Sequence, residues 1–127
     1  MVVLALVGCV DDPARSDPPL IEQVLAVAHA RWAGLLISQG DLEGGLEHAE
    51  RAVELDLGDA DAHFKLGLAC LLLEQYERAI VELEVSLRLQ PECCEAHRKL
   101  VEAYSAIGRT RSAREHARIV QRTASTP

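Results

Sequence analysis

Aromatic residues are scarce: Trp32, Phe64, Tyr76 and Tyr104 are the four in 127 positions. A core must therefore be built from Leu, Ala, Val and Ile, which suit closely packed helices better than a sheet. There is no Gly-rich phosphate loop and no nucleophile elbow. Helical arrays seldom host chemistry without a fused domain, so the expectation is a protein that is not an enzyme and needs no cofactor. Cys9, Cys70, Cys93 and Cys94 show neither disulfide-framework spacing nor a CxxC pair. Cys70 sits in an apolar run and reads as a small core residue. The apolar opening "MVVLALVGC" is too short to span a bilayer, and no Lys or Arg precedes it.

The net charge is −7, unevenly spread. Residues 1–90 hold 6 basic and 16 acidic side chains, whereas residues 91–127 hold 7 and 4. The acidic bulk argues against nucleic acid as a partner. The basic end, with Arg109, Arg111, Arg114, Arg118 and Arg122, reads as a solvated helix face, with an acidic partner as the sharper alternative.

What is abundant is repetition. With Ala26, Ala60 and Cys94 aligned as first positions, the chain repeats every 34 residues. His29, His63 and His97 share the fourth column. His48 and His116 share the twenty-third, with Glu82 between them. The seventh column is Trp32, Leu66, Leu100; the eighth is Ala33, Gly67, Val101; the twentieth is Gly45, Ala79, Ala113. Within the second unit, Leu66, Cys70 and Leu73 make one helical face, and Ile80, Leu83 and Leu87 make another. Gln39-Gly40-Asp41 predicts a glycine stop followed by an N-cap, Glu74-Gln75 a polar turn, and Gly108-Arg109-Thr110 a turn with Thr110 as cap. Asp59 or Asp61 is expected to cap the second unit.

This pattern resembles the tetratricopeptide repeat (TPR) family, through Leu66, Gly67, Tyr76, Ala79 and Pro91 of the second unit. The first unit departs from it at Leu57. The third departs at Val101, Thr110 and Ser125. The resemblance implies an all-α, right-handed superhelix of three stacked helix-turn-helix repeats, 26–59, 60–93 and 94–127, within an array over 19–127. Gly67 and Ala79 would then line the closest crossing of two helices. The expected work is protein–protein interaction, with a partner's peptide or amphipathic helix held in a concave groove. The resemblance places Val27, Ala30 and Ile37 in that groove from the first unit. It adds Asp61, Phe64, Leu68, Leu71 and Leu72 from the second, and Glu95, Arg98 and Glu102 from the third. Phe64, Leu68, Leu71 and Leu72 make their helix apolar nearly all round, so it is either covered on both sides or holds an apolar guest. The competing expectation is that residues 1–25 fill the groove. The carboxylate clamp of some family members maps onto Ala30, Gly34, Lys65, Glu95 and Lys99, a set with one acid and no Asn, so it is not expected here.

The runner-up function is a self-associating assembly module that forms a homodimer through the groove or the open end of the array. Cys93, Cys94 and His97 fall within one helical turn, but His29 and His63 fill the same column as His97 without cysteines, so no metal site is expected. "LVGC" resembles a bacterial lipobox, and "VDDPARSDPP" after it resembles a tether. On that reading residues 1–8 are a truncated lipoprotein signal, Cys9 carries lipid, and the protein is periplasmic and membrane-anchored. On the other, the apolar terminus packs on the first helix of a cytoplasmic protein.

Overall fold

The computed structural model describes residues 17–124. Among these it contains six helices and no strand: α1 (Leu20–Ser38), α2 (Leu42–Leu55), α3 (Ala60–Leu72), α4 (Tyr76–Leu89), α5 (Cys94–Ala106) and α6 (Thr110–Ala124). Each helix packs on its successor, and α3 also touches α1 and α5. The result is three antiparallel hairpins, α1/α2, α3/α4 and α5/α6, stacked in chain order into a superhelix. Cys9 and the lipobox-like segment lie outside the described residues, as does Ser125.

The turns inside the hairpins are built alike. Gly40, Glu74 and Gly108 occupy the same repeat column, and all three have positive φ: 89°, 63° and 78°. In each, the next residue's N–H returns to the carbonyl five residues earlier. The pairs are Asp41 to Leu36 (2.9 Å), Gln75 to Cys70 (2.8 Å) and Arg109 to Tyr104 (2.8 Å). This left-handed stop satisfies the carbonyls orphaned at a helix end. Asp41 then starts α2 by accepting from Gly44 N–H at 2.9 Å, and Asp59 starts α3 by accepting from Asp61 N–H at 3.0 Å. Thr110 is not a cap: it is the first helical residue of α6, because the repeat column that precedes the second helix is Arg109, not Thr110.

Small residues set the hairpin spacing. A Cβ on Gly67 would stand 2.7 Å from Leu83 Cγ and 3.3 Å from the Ala79 carbonyl oxygen. One on Gly45 would stand 2.6 Å from Ile37 Cγ1 and 3.2 Å from the Ala33 carbonyl oxygen. The glycine thus sits on the second helix in the first hairpin and on the first helix in the second hairpin. Leu66, Cys70, Leu83 and Leu100 are buried at the centre. Dispersion between the closely crossing backbones offsets the helix cost of glycine.

α1 begins at Leu20, six residues before the first repeat position at Ala26. The side-chain amide of Gln23 donates to the Pro18 carbonyl at 2.8 Å and closes its first turn. This extension runs outward: Leu20, Ile21, Val24 and Leu25 are exposed.

Candidate partner-binding surface

In each repeat one polar rung ties the first helix to the second. His29 Nδ1 faces His48 Nδ1 at 3.0 Å; His97 Nδ1 faces His116 Nδ1 at 2.9 Å. Between them, His63 Nδ1 meets Glu82 Oε2 at 2.7 Å, and its Nε2 lies 2.9 Å from the Leu57 carbonyl oxygen. The two outer rungs are backed by aromatic rings, Trp32 stacked on His48 and Tyr104 stacked on His116. The alignment of histidine columns was visible in the sequence; their pairing across the hairpin was not. Among the described residues no group of three His, Cys, Asp or Glu side chains gathers to hold a metal ion, and Cys94 Sγ instead approaches Thr123 Oγ1 at 3.2 Å.

The rungs shift the pKa of three histidines. Burial and the facing His48, then Arg51, hold His29 below its ordinary value. Burial and the facing His97 do the same to His116, against an opposing pull from Glu84 and Glu115. His63 moves the other way, raised chiefly by its hydrogen bond to Glu82. Between repeats, the Tyr104 hydroxyl donates to Glu84, and burial with that carboxylate pushes its pKa up to about 12.

The residues expected to line the inner face divide sharply by exposure. Asp61, Leu72, Glu95, Arg98, Glu102 and Val27 are exposed, and Leu68 is half-buried. Four others do not form open surface. Ala30 is fully buried against Ala52 and Ala62 of the neighbouring elements. Ile37 turns onto Gly45 of its own hairpin. Phe64 and Leu71, each 7% exposed, belong to the central core because α3 is flanked by both α1 and α5. The apolar excess of α3 is thus partly structural. What remains accessible is Leu72 (46% exposed), with half-buried Leu68 one turn before it. Residues 17–25 do not cover it, since they prolong α1 with apolar side chains exposed.

The two lysines of the chain carry intrachain partners. Lys65 Nζ lies 3.6 Å from Asp61 and 5.5 Å from the Phe64 ring centroid, and its Cε would stand 2.9 Å from a Cβ placed on Gly34. Lys65 therefore lies along the gap that Gly34 leaves on α1. Lys99 Nζ lies 3.3 Å from Glu102.

Solved structures share this arrangement closely. The second TPR of Spaghetti (RPAP3), bound to the HSP90 peptide SRMEEVD, superposes with a TM-score of 0.73 at 18% identity over 76% of this chain and 90% of its own. YrrB, described as a TPR protein with an unusual peptide-binding site, gives 0.70 at 25% identity over 75% of this chain. MamA gives 0.69 at 23% identity over 72% of this chain. The chain has the tetratricopeptide-repeat fold. It spans about half the length of the YrrB and MamA chains, 49% and 53%. No family model matches the sequence, and no curated protein matches it. A TPR hairpin reads poorly as sequence because its signature is a few small or apolar columns, and in two of the three units here those columns are altered at Leu57, Val101 and Ser125.

Proposed function

We propose that this TPR array is a non-catalytic interaction module that holds a segment of another protein against α3. The observation that carries the reading is exposed Leu72 with half-buried Leu68 one helical turn before it, on a helix whose other large apolar side chains are already buried. Spacing of four residues on one face suits two apolar anchors of an extended or helical peptide. Asp61 on α3 and Glu95, Arg98 and Glu102 on α5 are exposed and of mixed charge, which suits a guest of mixed rather than uniform charge. Two structures of similar fold support a peptide as guest: one is described with an HSP90 peptide, the other with a peptide-binding site.

The guest here differs in chemistry from that acidic peptide. Lys65 and Lys99 are each paired with a carboxylate, and no Asn stands beside them, so a terminal carboxylate finds little uncompensated positive charge. Peptides selected from a displayed random library against the wild-type chain test the reading. The expectation is enrichment of peptides with two apolar residues, weakened at least about tenfold by Leu72→Glu, since losing one buried Leu anchor is worth about 1.5–3 kcal/mol. SRMEEVD serves as the control expected not to bind. Enrichment of acidic C-terminal motifs instead would overturn the assignment. If residues 1–16 include a lipidated Cys9, the module works at a membrane surface; mass spectrometry of the native N-terminus decides this.

A further inference from the structure

α1 carries a second apolar surface, on the side away from its own hairpin. The repeat columns identify it. The third and tenth columns hold Ala62 and Ala69 in the second repeat and Ala96 and Ala103 in the third, all fully buried. Ala62 packs there against Ala30 and Ala52 of the preceding repeat. In the first repeat the same columns hold Ala28 and Leu35, and both are exposed, Leu35 by 56%. Ile21 (70% exposed), Val24 (60%), Leu25 and Trp32 (53%) extend this face along the helix. Trp32 uses one side of its ring on His48, at 4.2 Å between centroids. The interface that joins one repeat to the next thus continues, uncovered, at the outer side of α1.

We propose that a second copy of the chain docks here, α1 against α1 in antiparallel fashion, about a two-fold axis at Ala28. The face is self-complementary about that residue. Ile21 and Leu35 lie seven residues to either side of Ala28, and Val24 and Trp32 lie four to either side. Such spacing places all five on one stripe of a helix. The two-fold sets Ile21 against Leu35 of the second copy, two side chains of equal volume, and Val24 against Trp32, a smaller side chain against a larger one. Ala28 meets Ala28, small enough for a close approach of the helix axes. Arg31 is the one charged residue among these exposed positions of the face, and the axis sets it opposite Leu25, so no like charges meet.

The far end of the stack argues against a head-to-tail chain of copies. In the twenty-fifth column, Glu50 and Glu84 reach into the following repeat, to Arg78 at 3.4 Å and to Tyr104. The same column in α6 is Arg118, and the twenty-first, Leu46 and Ile80 in the earlier repeats, is Arg114. Both arginines are exposed. Stacking the α1/α2 hairpin of one copy on α6 of another would set Arg118 against Gly44 and Leu36, which hold the columns of Arg78 and Tyr104, so the arginine would meet no opposite charge there, which is costly. An isologous pair closes on itself; it is the arrangement left to this face. The surface is separate from the Leu68–Leu72 strip, so the two assignments stand or fall independently.

Light scattering and Trp32 fluorescence on the full chain over a range of concentrations provide the test. Expected are a mass of twice 13.9 kDa, and emission from Trp32, the sole tryptophan, that shifts to the blue and resists acrylamide quenching as the dimer forms. Ala28→Glu, which sets two like charges across the axis, should return the monomer with unchanged helical circular dichroism. Leu35→Gln is the milder companion and should weaken the dimer without abolishing folding. A monomer with open Trp32 at all concentrations overturns the proposal. A monomer with shielded Trp32 overturns it too, by assigning the cover to the chain's own leading residues. A ladder of higher masses, or a dimer indifferent to Ala28→Glu, does the same, as does a monomer that co-floats with lipid vesicles through α1.

Discussion

His29 and His48 face each other nitrogen to nitrogen, Nδ1 to Nδ1 at 3.0 Å, across the first hairpin. Such a contact holds one proton: one ring donates and the other accepts. Protonation of both rings turns the bond into a repulsion between two imidazolium ions. The third hairpin repeats the arrangement with His97 and His116, whereas the second replaces one histidine by Glu82.

Acid should therefore divide the molecule. His29 and His116 have folded pKa values below their ordinary 6.5, so their contribution is intact above pH 6.5 and is lost as pH falls through the lowered values. His63 is raised, so its contribution is fully present below pH 6.5 and is lost as pH rises through the raised value. Amide-exchange protection factors, corrected for the intrinsic pH dependence and followed from pH 7.5 to about 5, should fall in α1, α2, α5 and α6 before α3 and α4. Replacing His48 and His116 by Glu, as in the middle rung, should remove that difference. A uniform loss of protection along the chain would refute the account of the rungs.

Gly67 gives a prediction whose sign is informative. On helix propensity alone Gly67→Ala gains roughly 1 kcal/mol. The new Cβ would stand 2.7 Å from Leu83 Cγ, with the Ala79 carbonyl behind it, and Leu83 is fully buried. Overpacking should win, for a net loss of about 1–3 kcal/mol, and Gly67→Leu should lose more than about 2 kcal/mol. Urea denaturation measures both. A stabilised Gly67→Ala variant would show that the two helices lie further apart than that distance implies.

Glu74 predicts the opposite outcome. It holds φ at 63° in the column where the other two hairpins use Gly40 and Gly108. A left-handed conformation costs a side-chain-bearing residue about 1–2 kcal/mol, partly returned through the more restricted unfolded chain. Glu74→Gly should raise stability by about 0.5–1 kcal/mol, visible as a higher thermal midpoint. An unchanged or lower midpoint would mean that the Glu74 side chain contributes contacts that outweigh its backbone strain.

Much of this architecture was legible in the sequence, and the reasons are local. Gly40-Asp41 announces a stop and a start through backbone chemistry alone, and the 34-residue spacing of histidines carries the repeat even where Leu57 and Val101 depart from its pattern. What was not legible depends on neighbours distant in sequence. Phe64 and Leu71 read as open surface because the same apolar residue serves a groove or a core, and only the position of α1 and α5 on either side decides between them. Glu74 gave no sign of its positive φ, since a glutamate in a turn ordinarily avoids it. α1 starts at Leu20, directly after Pro18-Pro19, where proline accommodates the first turn without any side-chain cap.

Tyr104 offers a check on how the second and third repeats join. Its hydroxyl donates to Glu84 across the repeat boundary. Tyr104→Phe should cost about 1.5–3 kcal/mol, the range for a hydrogen bond to a charged acceptor. In the wild-type chain, alkaline titration by ultraviolet absorbance should show Tyr104 ionising only near pH 12, and unfolding in urea should abolish the delay.

The reading of the protein as a peptide-holding module is tested most directly by calorimetric titration of a library-selected peptide into the wild-type chain and into the Leu68→Glu/Leu72→Glu double variant. The account predicts saturable one-to-one binding to the former and none measurable to the latter, with both chains melting alike. Equal heats from the two chains, or no peptide selected at all, would contradict it.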